Sequence, residues 1–343
     1  MSAARLRWGV LGAADIAARA VVPAIQAAGD EVLVLGSRER EKGELMAGQL
    51  RIPAVVQGYQ EVLKRDLDAI YIPLPNSLHY RWAMAALEGG KHVLCEKPLT
   101  LTVAEATELD TVARRLGLVV AEAVMYRYHP RWRLVLELLR EGRIGAPQQV
   151  TGGFNFTLKT AVNVRWDREL GGGALYDVGS YLVNAARWVV GKEPQRAVAV
   201  ASIRDGVDES TTLLLDFGEE EGRPGATAAL SCSFAAAESQ WLRILGSEGC
   251  LLLPKPFTAW HGEALPVLIE RSPGQEPERV EAPAADPYRQ MVLAFGDSVR
   301  SGGISQTSAA DAAGTLAVLE ACQRSFSTGA FEPVASCSAQ TPP

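Results

Sequence analysis

The chain has 343 residues, 48% of them hydrophobic, with 34 basic against 40 acidic side chains and a formal net charge of -6. That is more apolar material than one compact core absorbs, so two domains of unequal architecture are expected and extended disorder is excluded. Both signs of charge are dispersed, with no basic stripe to neutralise a phosphate backbone, which argues against nucleic acid as a partner. Met1 to Leu6 lead straight into an apolar segment without a hydrophobic leader, cleavage site or lipid-spanning stretch, so a cytoplasmic protein with no membrane partner is expected. Five cysteines, at 95, 232, 250, 322 and 337, form no CxxC pair and no even framework, and read as buried or bystander thiols.

Up to about Glu122, short β-branched runs alternate with helical stretches, the pattern of a parallel sheet joined by crossover helices. Strands are predicted at Arg7 to Leu11, Val32 to Leu35, Ala69 to Ile72, His92 to Cys95 and Leu118 to Ala121. Between them, Leu78 to Leu87 and Val103 to Leu116 carry apolar residues at helical spacing, with Gly89-Gly90 and Gly117 as stops. After a helix at about Pro130 to Arg140 come longer alternating runs: Gln149 to Phe156, Arg196 to Ile203, Thr211 to Phe217, Ala226 to Phe234 and Gln240 to Leu245. These predict a mostly antiparallel sheet. One helix interrupts it, announced by Gly171-Gly172-Gly173 and running through Asp177, Tyr181 and Trp188 to Gly191. Helices at Pro287 to Arg300 and Ser308 to Phe326 precede a Ser/Pro tail expected to fray.

Gly12-Ala13-Ala14-Asp15-Ile16-Ala17 follows the first strand and opens a helix, the setting in which backbone amides and the helix dipole hold a pyrophosphate. The usual pattern is GxGxxG, and alanine stands at its second and third glycine places, so a plain strand-to-helix turn is the competing reading. Where an NAD-preferring chain carries an acid at the end of the second strand, this one has Ser37-Arg38, with Lys42 a turn further on. A hydroxyl, a guanidinium and an ammonium suit a 2'-phosphate, which favours NADP over NAD; the alternative is solvated charge balanced by Glu39 and Glu41. The expected architecture is therefore α/β: a Rossmann dinucleotide-binding domain over 1–125, an α/β domain with an open, mostly antiparallel sheet over 126–330, and a flexible tail over 331–343.

The strand His92 to Cys95 runs into Glu96-Lys97-Pro98 at the carboxyl edge of the sheet, where ligands of open α/β folds bind. Lys97 there can polarise a carbonyl or stabilise a forming alkoxide, although a lysine at a strand end is equally compatible with an ordinary surface position. Asp177 and Tyr181 are four apart on one predicted helix and share a face, and the glycine run before them lets backbone approach a ligand. A nearby ammonium lowers the pKa of a tyrosine and suits Tyr181 to take a hydroxyl proton as hydride leaves the same carbon. A core tyrosine beside a solvated aspartate is the rival reading of that pair.

Five segments in order carry a resemblance to the Gfo/Idh/MocA oxidoreductases that runs nearly end to end: Trp8 to Ala17, Ile72 to His79, Glu96 to Leu99, Glu122 to Pro130 and Gly171 to Tyr181. The resemblance implies that Lys97 is the catalytic lysine, with Asp177 and Tyr181 as its partners from the second domain and the active site at the domain junction. Tyrosine at 181, where much of the family has histidine, is similar to the branch with glucose-fructose oxidoreductase, dimeric dihydrodiol dehydrogenase and NADP-dependent xylose dehydrogenases. It further implies that Pro73, Leu74, Asn76 and His79 lie along the nicotinamide ribose, that Glu96 belongs to the cofactor site, and that the outer sheet face pairs in a homodimer or larger homo-oligomer. Arg165 and Trp166 read as substrate contacts, with a buried ion pair as the other explanation of Arg165. Arg127 and His129 are candidates to line the pocket, although a lone histidine is more often structural. No cluster has metal-ligand spacing.

The expected function is NADP-dependent hydride transfer to or from an aldose, a cyclic polyol or a trans-dihydrodiol. The rivals are a 3-ketoreductase of a nucleotide-linked deoxysugar, a non-catalytic NADP-sensing protein and, more remotely, a non-redox use of tightly held NAD.

Overall fold

Strands buried on both faces of a sheet read as near-continuous apolar runs, and the short strands of the N-terminal region are apolar apart from their end residues. The computed structural model describes residues 5–160, 162–219, 225–258, 263–272 and 274–336. In it β1 (Arg7–Leu11), β2 (Glu31–Ser37), β3 (Ala54–Gln57), β4 (Ala69–Ile72), β5 (His92–Cys95) and β6 (Val120–Glu122) pair in parallel. Their order is β3-β2-β1-β4-β5-β6, which reverses direction between β1 and β4 and opens a crevice there at the carboxyl ends of the strands. The strands are linked by α1 (Val22–Ala27, continuing a π turn at Ala17–Val21), α2 (Arg40–Leu50), α3 (Gln60–Leu63), α4 (His79–Glu88) and α5 (Val103–Leu116). Thr102 and Glu105 close a capping box at the start of α5, and Gly117 ends it at φ 67°. Val62, Ile70, Ile72, Ala83, Leu87, Val93 and Leu109 form the core beneath these helices. The edge strand β3 escapes the sequence pattern because it is four residues long and only half buried.

The second unit begins with α6 (Pro130–Arg140) and β7 (Pro147–Thr157), then α7 (Ser180–Val190) and β8 (Arg196–Arg204). The strands β9 (Val207–Asp216), β10 (Thr227–Ser233), β11 (Ala235–Gly246), β12 (Cys250–Pro254), β13 (Val267–Glu270) and β14 (Glu278–Val280) follow. The sheet order is β14-β13-β12-β11-β7-β10-β9-β8, antiparallel throughout except for β7 beside β10. The helix α7 covers one face so closely that a Cβ on Gly152 would lie 3.1 Å from Leu182 Cδ2. Val200, Leu214 and Trp241 are exposed on the strands of this sheet.

The chain then returns. Residues 288–313 belong to the first unit, so the expected domain 126–330 is not continuous: among the described residues the second unit takes 126–287 and 314–336. The helix α8 (Pro287–Ser301) buries Met291, Val292 and Phe295, and the Phe295 ring stands 5.1 Å from Trp8. A distant segment supplies this apolar cover, and local periodicity cannot say which sheet a helix will cover. The helix α9 (Ala309–Thr328) leads into β15 (Glu332–Pro333), which adds to the edge of β8, with Val334 N donating to Gln195 O at 2.9 Å. The tail expected from 331 is thus paired as far as 334, and its part from 337 lies outside the described residues. No helix among the described residues is long and apolar enough to cross a membrane. Cys95, Cys232, Cys250 and Cys322 are free and buried, and Cys337 lies outside the described residues.

Candidate active site

In the first unit, β1 delivers the chain to Gly12 at φ 114°, where a Cβ would stand 2.9 Å from Leu74 Cδ2. Glycine is needed here for its backbone and for the close approach of the next loop. The helix starts at Asp15, and Ala18 N is bonded to Ala14 O at 3.1 Å. The amides ahead of that bond, around Ala13, Ala14, Asp15 and Ile16, are the unsatisfied donors of a helix N-terminus and fit a pyrophosphate. Arg38 and Lys42 are both exposed and fit the phosphate that distinguishes NADP. Ser37 does not serve as the expected donor: it is buried, and its hydroxyl gives its hydrogen to Glu39 O at 2.7 Å, shaping the loop that presents Arg38. Arg38 also bonds Tyr59, whose hydroxyl is pushed up by burial and drawn back by that guanidinium.

Lys97 follows β5, half buried, ahead of a cis bond to Pro98. Three groups hold its turn. Tyr71 donates its hydroxyl hydrogen to Glu96 Oε1 at 2.7 Å, and burial beside that carboxylate holds the phenol well above its usual pKa. The buried Glu122 carboxylate accepts from Leu99 N at 2.8 Å, and Glu122 is in turn tied through its backbone to Thr307. His79 is fully buried, with Nδ1 2.7 Å from Pro98 O and Nε2 2.7 Å from Leu74 O. It therefore clamps the loops after β4 and β5 together and does not face a ribose; desolvation lowers its pKa. Pro73 and Leu74 are buried in the same loop, and Asn76 opens the turn into α4.

In the second unit the glycine run folds onto the chain just before it. Gly173 N donates to Arg165 O at 2.9 Å, and a Cβ on Gly172 would stand 2.4 Å from the same carbonyl oxygen. The run brings backbone against backbone and so sets Arg165 in place. Its Nε bonds Asp177 Oδ2 at 2.5 Å, and the guanidinium pKa is raised by Asp177 first and by Tyr181 as well. Arg165, Asp177 and Tyr181 form one cluster, with Asp177 in a π turn (Leu175–Gly179) and Tyr181 in the first turn of α7. Asp208 holds that turn from below: its Oδ2 accepts from Leu175 N and Thr211 Oγ1, each at 2.7 Å. Burial pushes the Asp208 carboxyl up to about 6 against these bonds. A Cβ on Gly173, at φ 115°, would stand 2.2 Å from Asp208 Oδ1. The Tyr181 ring rests on Phe257, Phe154 and Tyr126 at 5.5, 5.7 and 6.0 Å between centroids.

Residues 6–124 match the oxidoreductase family with an NAD-binding Rossmann fold, GFO/IDH/MocA, and residues 132–252 match the GFO/IDH/MocA C-terminal domain. The chain belongs to the Gfo/Idh/MocA oxidoreductases. Among its relatives, D-xylose 1-dehydrogenase (NADP(+)) 2 of Haloferax volcanii is 34% identical over 95% of this chain and 98% of its own. The dTDP-3,4-didehydro-2,6-dideoxy-alpha-D-glucose 3-reductase of Streptomyces violaceoruber is 38% identical over 87% of this chain and 86% of its own. A 3-ketoreductase from Actinomadura kijaniata, solved with NADP and TDP-benzene, superposes with a TM-score of 0.87 at 33% identity, covering 94% of this chain and 98% of that one.

Within this Gfo/Idh/MocA chain, two further expected contacts have packing roles. Arg127 is buried with its guanidinium 4.3 Å over the Trp188 ring, and Trp166 is edge-on to Phe234, covered by Arg204 at 4.7 Å and bonded to Thr160 O. Arg127 is thus held in the aromatic core, while Trp166 stays half buried between Phe234 and Arg204. Asp208 and Tyr71 were not foreseen, and nothing in their local pattern marks them. Glu122 stood in a motif without a role, and its burial at the end of a strand supplies one. Among the described residues no group of three or more His, Cys, Asp or Glu side chains is arranged to hold a metal ion.

Proposed function

We propose that this oxidoreductase works in the cytoplasm with NADP, moving hydride between nicotinamide and a sugar-like substrate: an aldose, a cyclic polyol or a trans-dihydrodiol. The observation that carries the reading is that Lys97 is held by bonds to both its neighbours in sequence, while Tyr181 stands beside an Arg165–Asp177 pair. Nicotinamide, when bound, supplies or accepts the hydride. Lys97 polarises the reacting oxygen, Tyr181 takes or returns its proton at the phenol oxygen, and Asp177, fixed by Arg165, orients the substrate. The exposed Arg38 and Lys42 support NADP over NAD. A second reading, reduction of a 3-keto group on a nucleotide-linked deoxysugar, is favoured by the relatives from Streptomyces violaceoruber and Actinomadura kijaniata. The exposed Val200, Leu214 and Trp241 support a homo-oligomer joined through the sheet.

Absorbance at the reduced-nicotinamide band, with NADP or NAD and a panel of aldoses, inositols and dihydrodiols, tests this. NADPH formation confined to one class identifies the substrate. Silence across the panel, together with NADPH consumption on a nucleotide-linked 3-ketosugar, replaces the first reading by the second.

A further inference from the structure

The start of α6 carries two polar side chains that the mechanism does not use. Arg131 is 1% exposed and His129 is 3% exposed. Arg131 Nη1 donates to Lys255 O at 3.2 Å, but its Nε and Nη2 have no hydrogen-bond partner among the described residues, and neither has His129 Nε2. The tautomer of His129 is fixed by its surroundings: Nδ1 accepts from Arg131 N at 3.1 Å, so in the neutral ring the hydrogen is on Nε2. Desolvation and the Arg131 charge lower the pKa of His129 and keep the ring neutral. Three donor nitrogens, carrying four N–H groups, are thus left over, and both residues line one small pocket walled otherwise by apolar and aromatic groups that include Tyr126, Trp132 and Phe257. The pocket has the size of a single water or small ion.

Nε and Nη2 form the edge of a guanidinium that grips an anion with two parallel N–H bonds. The nearby carboxylate, Glu263, acts on Arg131 through its charge and is paired with Lys255 Nζ at 3.5 Å. A water would accept from two donors at most and would leave the buried cation uncompensated, which costs several kcal/mol. We infer that this pocket is a buried site for a small monovalent inorganic anion of halide size, held by Arg131 Nε–H and Nη2–H and by His129 Nε2–H. The anion is structural: it neutralises Arg131 behind Tyr126 and Phe257, the rings on which Tyr181 rests.

The test is thermal melting of the whole chain at constant ionic strength while sodium bromide replaces sodium methanesulfonate, together with anomalous diffraction from crystals grown in bromide. The midpoint is expected to rise saturably, by about 3 °C, and Arg131→Met to abolish the rise. Should that variant fail to fold, the unmutated protein still decides: an anomalous peak is expected within hydrogen-bond reach of Arg131 Nε, Arg131 Nη2 and His129 Nε2. A flat melting series, a bromide effect that survives Arg131→Met, or a water or the Glu263 carboxylate in the fork overturns the site. A peak without a melting effect is an adventitious ion only and overturns it equally. None of these readouts depends on turnover.

Discussion

Lys97 follows a strand paired on both sides, whereas Tyr181 stands on a helix whose preceding π turn is held by Asp208 and Arg165, each distant in sequence from the other. In the first unit the sheet does most of the positioning. The backbone of β5 is bonded to β4 and β6, and the clamps on the Lys97 turn, His79 and Glu122, come from the ends of the neighbouring chain segments. In the second unit no strand ends at the tyrosine. Its place depends on a buried carboxylate, a glycine without room for a Cβ and an ion pair. A ladder of backbone bonds tolerates changes of side chain, while a network of buried polar side chains fails when one member is removed.

Four substitutions would break or sharpen this contrast. Tyr181→Phe deletes only the hydroxyl proposed to transfer the proton, so turnover is expected to fall by roughly 10² to 10⁴ with NADP affinity nearly intact. Steady-state rates beside cofactor titration measure both, and unchanged turnover would remove Tyr181 from the chemistry.

Asp208→Asn probes the tyrosine side of the contrast through pH. The folded chain holds the Asp208 proton up to about pH 6, against a reference value of 3.8, so the stability it contributes is complete below about pH 4 and is lost as pH rises through 6. The span corresponds to about 3 kcal/mol. Melting midpoints between pH 5 and 7.5 should show a flatter profile in the variant, and parallel profiles would show that Asp208 is not the group that titrates.

His79→Ala removes the ring wedged between the Leu74 and Pro98 carbonyls and the one N–H that a neutral imidazole donates to them, at a cost of about 2 kcal/mol in denaturant unfolding. Turnover should fall as the Lys97 turn loosens. A variant with lost stability but full turnover would show that the sheet alone sets the lysine. Arg38→Ala is the mildest change, because Arg38 is exposed: NADP binding should weaken roughly tenfold and NAD binding hardly at all. Equal losses for both cofactors would mean that Arg38 does not read the phosphate.

The periodicities were enough to predict a doubly wound parallel half and a mostly antiparallel half, because burial on two faces or on one writes itself directly into the order of apolar residues. The glycine turn at Gly12 and the lysine at a strand end were legible for the same reason: both sit at fixed offsets from strands that the pattern reveals. Tertiary structure alone decided that residues 288–313 return to the first unit, that Gly171 to Gly173 fold onto Arg165, that His79 is a clamp, and that Arg127 and Trp166 pack against aromatic and cationic neighbours. The physical reason is separation along the chain. Asp208 reaches Leu175 across 33 residues and Glu122 reaches Leu99 across 23, and a polar side chain is committed to such a partner only when folding removes water from both.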